Sequence, residues 1–177
     1  MRSRTEIFVE RTFDPPLTPE HVHAMALASG ACFALHKVDW HESLLSADGG
    51  RMLCRFSAPD MESVRIAFRQ AGELPRVLWA GTVHKVPDPV TANVVVSRRF
   101  DEPITLEEIQ AVENAGAWCL ETHRVKFART FFSLDRKRMI CLYSAPDAEA
   151  VRLAQRQAGM PVEQVWAFRK IQPEDLP

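Results

Sequence analysis

His36 and His123 are the histidines kept at equivalent positions of an internal duplication. Neutral imidazole is a good ligand for late divalent ions, so a twofold-related pair could share one ion or hold one each. The competing reading is a hydrogen-bonded histidine at a sheet edge. Arg11 and Arg98 are likewise kept in both copies, in the middle of a β-rich run where a lone cation is costly. Their planar guanidinium groups could anchor a carboxylate or phosphate; the alternative is a structural ion pair with Glu10, Asp14 or the other copy. Glu42 has Arg129 as its counterpart, which makes it either a ligand, an acid/base group or the partner of a nearby arginine. If the hairpin around residues 46–50 pairs Leu45 with Arg51, Glu42 faces Cys54, and Trp40 faces Phe56 across about 5 Å. Arg11, Arg98, Trp40, Glu42 and Phe56 are therefore the candidate ligand-binding residues.

Other polar residues offer less. His21 and His23 sit two apart in a helical first turn and cannot face one ion together. His41 has Ala128 as its counterpart and is read as a surface residue. Trp79 and Trp166 read as core anchors. No HExxH, phosphate-binding glycine loop, nucleophile elbow or EF-hand pattern is present. The four cysteines form two repeat-related pairs without C-x-x-C spacing, as expected of buried, reduced thiols.

The elements that position these groups are written twice. Residues 6–84 align with 93–171 without a gap, and 31 of the 79 aligned pairs are identical. Each copy begins with a short strand (Ile7–Phe13) closed by Asp-Pro. Thr18-Pro19-Glu20 then caps a helix expected to end near Ser29-Gly30. Phe33–Leu45 reads as a long strand, turning through Ser46–Gly50 into Met52–Phe56. Asp60 opens a second helix with Val64, Ala67, Phe68 and Ala71 on one face, Gly72 ends it, and Val77–Ala80 supplies the last strand. On this reading His36, Trp40 and Glu42 share one strand face, although His36 and Glu42 are too far apart for one ion.

The resulting order, β-α-β-β-α-β, is the ferredoxin-like split βαβ of the α+β class. In the second copy Phe127, Phe131, Met139, Cys141 and Tyr143 alternate with Ala128, Phe132, Ile140 and Leu142, so both sheet faces read as apolar. The other copy is the available cover, which predicts a pseudo-twofold dimeric α+β barrel in one chain, with an interior between the two sheets that can be filled or left as a pocket. The boundaries are 1–86 and 93–172 for the repeats, 87–92 for a proline-rich linker stiffened by Lys85–Pro89, and 173–177 for a tail.

Composition narrows the function. The first half, up to Asp88, carries 10 Lys/Arg against 11 Asp/Glu and the remainder 12 against 12, which argues against a nucleic-acid backbone as partner. No apolar run approaches the roughly 20 residues of a bilayer span, and Met1-Arg2-Ser3-Arg4 is expected to lead into a strand rather than into the apolar region of a signal peptide. A soluble cytoplasmic monomer with an internal pseudo-dimer, able to pair further, is expected.

Particular segments carry a resemblance. Ser133-Leu134-Asp135, Cys141 through Arg152 and Ala158-Gly159-Met160-Pro161 in copy two, with Val9–Phe13, Val38-Asp39-Trp40, Ser43, Ser46-Ala47-Asp48 and Cys54–Pro59 in copy one, resemble the bacterial nickel-binding-protein family. The resemblance implies a ferredoxin-like domain that pairs into a dimer and binds nickel or a similar divalent ion, here fused into one chain. The metal candidates are then His36, His123 and Glu10, with Glu42 nearby. Two departures matter: Glu10 becomes Ser97, and Trp40 becomes Phe127. An enzyme or small-molecule-binding barrel with an apolar pocket is the alternative, and a protein interaction module a further one.

Overall fold

The computed structural model describes residues 3–75, 77–87 and 90–177. These fall into two compact units, Met1–Gly81 with Arg169–Pro177, and Thr82–Phe168. The linker expected at Lys85–Pro89 includes Asp88 and Pro89, which lie outside the described residues.

In the first unit, β1 (Thr5–Thr12) is followed by α1 (Pro19–Leu35), β2 (Asp39–Ser46), β3 (Arg51–Ala58), α2 (Met61–Gln70) and β4 (Val77–Lys85), the last running on past Gly81. β1 pairs antiparallel with β3 and β4, and β2 with β3, giving the order β4-β1-β3-β2. The second copy repeats this with β5 (Val94–Arg99), α3 (Leu106–Ala115), α4 (Ala117–Thr122), β6 (Lys126–Ser133), β7 (Arg138–Ser144), α5 (Ala148–Gln157) and β8 (Gln164–Ile171). Its sheet order is β8-β5-β7-β6. The mixed α+β, ferredoxin-like order expected from the sequence is present in each copy.

Three local features differ from the sequence expectation. The first helix does not stop at Ser29-Gly30. Thr18 accepts a bond from the His21 amide, Pro19 takes the first helical turn, and the helix continues to Leu35 with His36 as its C-cap. An interior glycine costs only about 1 kcal/mol, and packing of Val22, Met25 and Phe33 on the sheet outweighs it. The strand expected from Phe33 therefore starts at Asp39, after a turn in which Lys37 adopts φ 56°.

The second feature is a β-bulge. Trp40 pairs with Phe56 as expected, but the ladder then slips by one residue, so Glu42 pairs with Arg55, Ser43 with Cys54 and Leu45 with Met52. A bulge sends the residues after it to the opposite face from the one simple alternation gives. Trp40, Ser43 and Leu45 thus share the helix-covered face, and Glu42 leaves it. β6 carries the same bulge between Phe127 and Arg129, so Thr130 rather than Arg129 opposes Cys141. Phe132, not Phe131, joins Phe127, Met139, Cys141 and Tyr143 in that copy's core.

The third concerns the helices. In copy two the counterpart of α1 is broken at Gly116, where a Cβ would lie 2.5 Å from the Cβ of Ala158 at the end of α5. Only glycine permits that approach. Copy one has Ser29 at the equivalent position, its hydroxyl donating to the Met25 carbonyl at 2.7 Å, and α1 remains one helix.

The core of the first unit sits between sheet and helices: Ile7, Val9, Cys54 and Phe56 from the strands meet Val22, Val64 and Phe68 from the helices. Ile171, from the end of β8, is 2% exposed and belongs to this core.

Candidate functional site

Copy one holds a cavity of about 330 Å³ between α1 and the helix-covered face of its sheet. Its floor is Met52, Cys54, Phe56 and Trp40; Ala26, Ser29 and Phe33 of α1 line the opposite wall, and Arg11, Phe68 and Glu73 one end. Pro173 and Leu176, from the segment after β8, complete the lining. Three of the sequence candidates, Arg11, Trp40 and Phe56, thus line one space. It lies on the helix side of the first sheet, whereas the sequence reading puts a pocket between two sheets.

Most polar groups of the wall are bonded within it. The Trp40 indole donates to Ser43 Oγ at 3.0 Å, and Ser43 donates to Cys54 Sγ at 3.0 Å. Burial pushes the Cys54 thiol up to about 11, against the opposing effect of the Ser43 bond. Cys54 is therefore a neutral thiol at physiological pH, neither a thiolate ligand nor a ready nucleophile. Arg11 forms an ion pair with Glu73 and lies 4.9 Å from the Phe13 ring centroid and 5.6 Å from that of Phe68. Of its five donors, the polar partner among the described residues is Glu73 alone.

The equivalent place in copy two is filled by the chain itself. Arg98 is wholly buried, donating to the Pro161 carbonyl at 2.7 Å, to Gln155 Oε1 at 2.7 Å and to Tyr143 Oη at 3.1 Å. The Tyr143 hydroxyl also donates to Glu113 at 3.3 Å. Burial raises the Glu113 carboxyl, with Arg98 and the Tyr143 bond opposing the shift. Gln155, Tyr143, Glu113 and Met160 correspond to Phe68, Phe56, Ala26 and Glu73 in copy one. An arginine common to both copies thus ends in a closed polar cluster in one and at a cavity wall in the other.

Glu42 is elsewhere. After the bulge it accepts from Arg55 at 3.2 Å, and the same guanidinium donates to Glu6 at 2.8 Å. Burial alone would lower the Arg55 value, but Glu6 and Glu42 together raise it. The salt-bridge reading of Glu42 matches this contact, although its cross-strand neighbour is Arg55 rather than Cys54. Glu10 lies on the same face, accepting from the Trp79 indole at 2.8 Å, with Phe8 stacked on Trp79 at 4.3 Å.

Within the first unit the metal candidates His36 and Glu10 are not brought together. His36 caps α1 rather than lying in a strand, and its Nε2 is 2.9 Å from Gln70 Oε1. Glu10 projects from the face of β1 that the helices do not cover, whereas α1 lies over the other. His123 repeats the arrangement in its own unit, at the end of α4 and 2.9 Å from Gln157 Oε1. Among the described residues no group of three or more His, Cys, Asp or Glu is placed to hold an ion. Each of His36 and His123 instead has a glutamine of its own unit as its polar neighbour. Among the described residues no helix is long and apolar enough to cross a membrane.

Glu73 and Leu176 carry no signal of their own in the sequence, where Ser29 enters only as a helix end and Ser43 only through the family resemblance. The available signal was the set of differences between copies along the helices, at Ala26/Glu113, Ser29/Gly116, Phe68/Gln155 and Glu73/Met160, which matter as much as those along the strands.

No curated protein matches the chain. Among solved structures it is similar to the putative chlorite dismutase TA0507, at 11% identity and a TM-score of 0.54 over 96% of this chain and 94% of that one. It is also similar to a chlorite dismutase from Candidatus Nitrospira defluvii in complex with imidazole, at 12% identity and a TM-score of 0.52 over 97% and 92%. At such identities the likeness shows the fold alone. SCO4226 from Streptomyces coelicolor A3(2) is 22% identical, covering 42% of this chain and 91% of its own, with a TM-score of 0.38. The profile described as Nickel responsive protein SCO4226-like matches residues 8–80 and again 94–167, and the chain belongs to that family, with its domain present twice.

Proposed function

We propose that the protein is a small-molecule-binding module whose first repeat takes one largely apolar ligand beneath α1. The observation that carries this reading is the cavity of about 330 Å³ in copy one, set against the filled equivalent in copy two. That volume is at the low end of the roughly 300–1,000 Å³ typical of ligand sites, and an apolar wall with a few convergent polar groups is their usual composition. In copy two the corresponding positions hold Gln155, Tyr143 and Glu113, which bond around the buried Arg98, and this contrast supports the reading.

Titration of the full chain with 2-ethylnaphthalene, followed by amide and indole shifts in ¹⁵N NMR, tests the reading. Saturable changes confined to α1, β2 and β3, and abolished in the double variant A26E/F68Q that imports copy two's side chains, are expected. Changes that ignore this variant, or that centre on copy two, would remove the proposal.

Nickel binding is a second reading, favoured by the description of the family. In this chain it would run through His36 or His123, each already bonded to a glutamine of its own unit. Equilibrium dialysis of tag-free protein against nickel, with H36A and H123A alongside, decides it. Stoichiometric nickel lost in either variant supports this reading, and a content near zero dismisses it.

A further inference from the structure

The two copies hold the same arginine in the same strand and surround it differently, and the difference describes what is missing from copy one. Around Arg98 the chain supplies side-chain acceptor oxygens from Gln155 and Tyr143, at 2.7 and 3.1 Å. In copy one both positions are phenylalanines, Phe68 and Phe56, and both line the cavity. Arg11 keeps the guanidinium but has lost these oxygens. Its charge is balanced by Glu73, whose counterpart is the apolar Met160. The other hydrogen-bonding groups of the wall, at Trp40, Ser43 and Ser29, are turned to partners inside the protein. Asp39, also in the lining, is paired with Arg4 at 2.7 Å. A ligand in this cavity therefore meets largely apolar surface, and at Arg11 it meets unused donors whose net charge is already cancelled by Glu73.

We infer that the ligand is an uncharged, largely apolar molecule presenting one carbonyl or hydroxyl oxygen to Arg11, standing where Gln155 and Tyr143 stand against Arg98. The inference rests on the cavity of copy one being a ligand site. It adds the class of compound. A second carboxylate would meet Glu73 as a like charge in a poorly solvated space, and desolvating it would cost more than the guanidinium returns. A ketone or alcohol escapes this repulsion and still gains a charge-assisted bond.

Three probes sharing one ring separate these cases: 2-acetylnaphthalene, 2-ethylnaphthalene and 2-naphthoate, titrated against the full chain by ligand-observed NMR. A hydrogen bond to a charged group predicts that the ketone binds roughly tenfold or more tightly than the hydrocarbon. The carboxylate should be the weakest of the three. In the double variant R11M/E73M, which removes both charges and imports the methionine of copy two, the ketone should fall to the level of the hydrocarbon while the hydrocarbon keeps its affinity. Equal binding of ketone and hydrocarbon in the wild type, or a ketone preference surviving in R11M/E73M, would overturn the assignment of Arg11 and leave the cavity reading standing. Tightest binding by the carboxylate would overturn the uncharged class. Failure of all three probes to bind would overturn both this inference and the reading it rests on.

Discussion

Copy one and copy two solve the same packing problem in opposite ways. In copy two, Gly116 breaks the first helix and brings the chain against Ala158. The space beneath is taken up by Arg98, Tyr143, Gln155 and Glu113 in one buried polar cluster. In copy one, Ser29 keeps a side chain at that position, α1 stays whole, and small or apolar residues leave a cavity that ends on Arg11. A duplicated framework can thus be divided into a copy that is closed and a copy that is open by about four side chains. A buried arginine needs acceptors wherever it is placed: around Arg98 they are Gln155, Tyr143 and the Pro161 carbonyl, and beside Arg11 the acceptor is Glu73.

The largest expected effect tests the closed cluster. Arg98→Ala should cost about 3 kcal/mol or more, because it leaves Gln155, Tyr143 and Glu113 buried around a void. Arg11→Ala should cost less, about 1–2 kcal/mol, since Glu73 is 20% exposed and can be rehydrated through the cavity. Urea denaturation of the two variants measures the contrast, and equal losses would break it.

A second effect is with alkaline pH. Cys54 titrates at 9.0 when unperturbed and about 11 in the fold, and burial also raises the Tyr143 hydroxyl. Above pH 9 the unfolded chain releases these protons while the folded chain holds them. Stability therefore declines as pH rises from 9 toward 11, by about 2 kcal/mol for Cys54 alone. Denaturation midpoints across this range should flatten in Cys54→Ala, and an unchanged slope in that variant would count against the buried neutral thiol.

The helix contact gives a third contrast. Gly116→Ala drives a methyl into Ala158 and should cost about 1–3 kcal/mol. Ser29→Ala, at the equivalent position of the open copy, should stay within about 1 kcal/mol. Thermal unfolding distinguishes them. The smallest effect is expected for Trp79→Phe, which loses the Glu10 bond but keeps much of the stack on Phe8, at about 1 kcal/mol.

The order of elements was legible because it depends on signals a single sequence carries: Thr18 and Asp60 as N-caps, the Ser46–Gly50 turn, and period-3.6 patterning around Val64 and Phe68. The bulge at Trp40–Glu42 was not, since one extra residue in a strand changes no composition and reveals itself only through its partner β3. The run from Phe33 reads as strand because its β-forming residues hide the end of a helix already nucleated at Thr18. Of the site, Arg11, Trp40 and Phe56 were visible as unusual residues in strands. The cavity they line depends on volume missing at Ala26 and Ser29, and absent volume leaves no mark in a sequence until the distance between helix and sheet is known.

Ile171, Pro173 and Leu176 belong to the first unit although the whole of the second is encoded between them and Gly81. On a ribosome, the first unit would emerge with β1 to β3 and both helices able to fold, yet with its core open at the place of Ile171 and its cavity missing part of a wall. That gap would close only after the second unit had been synthesised, so of the two units the one begun earlier is completed later.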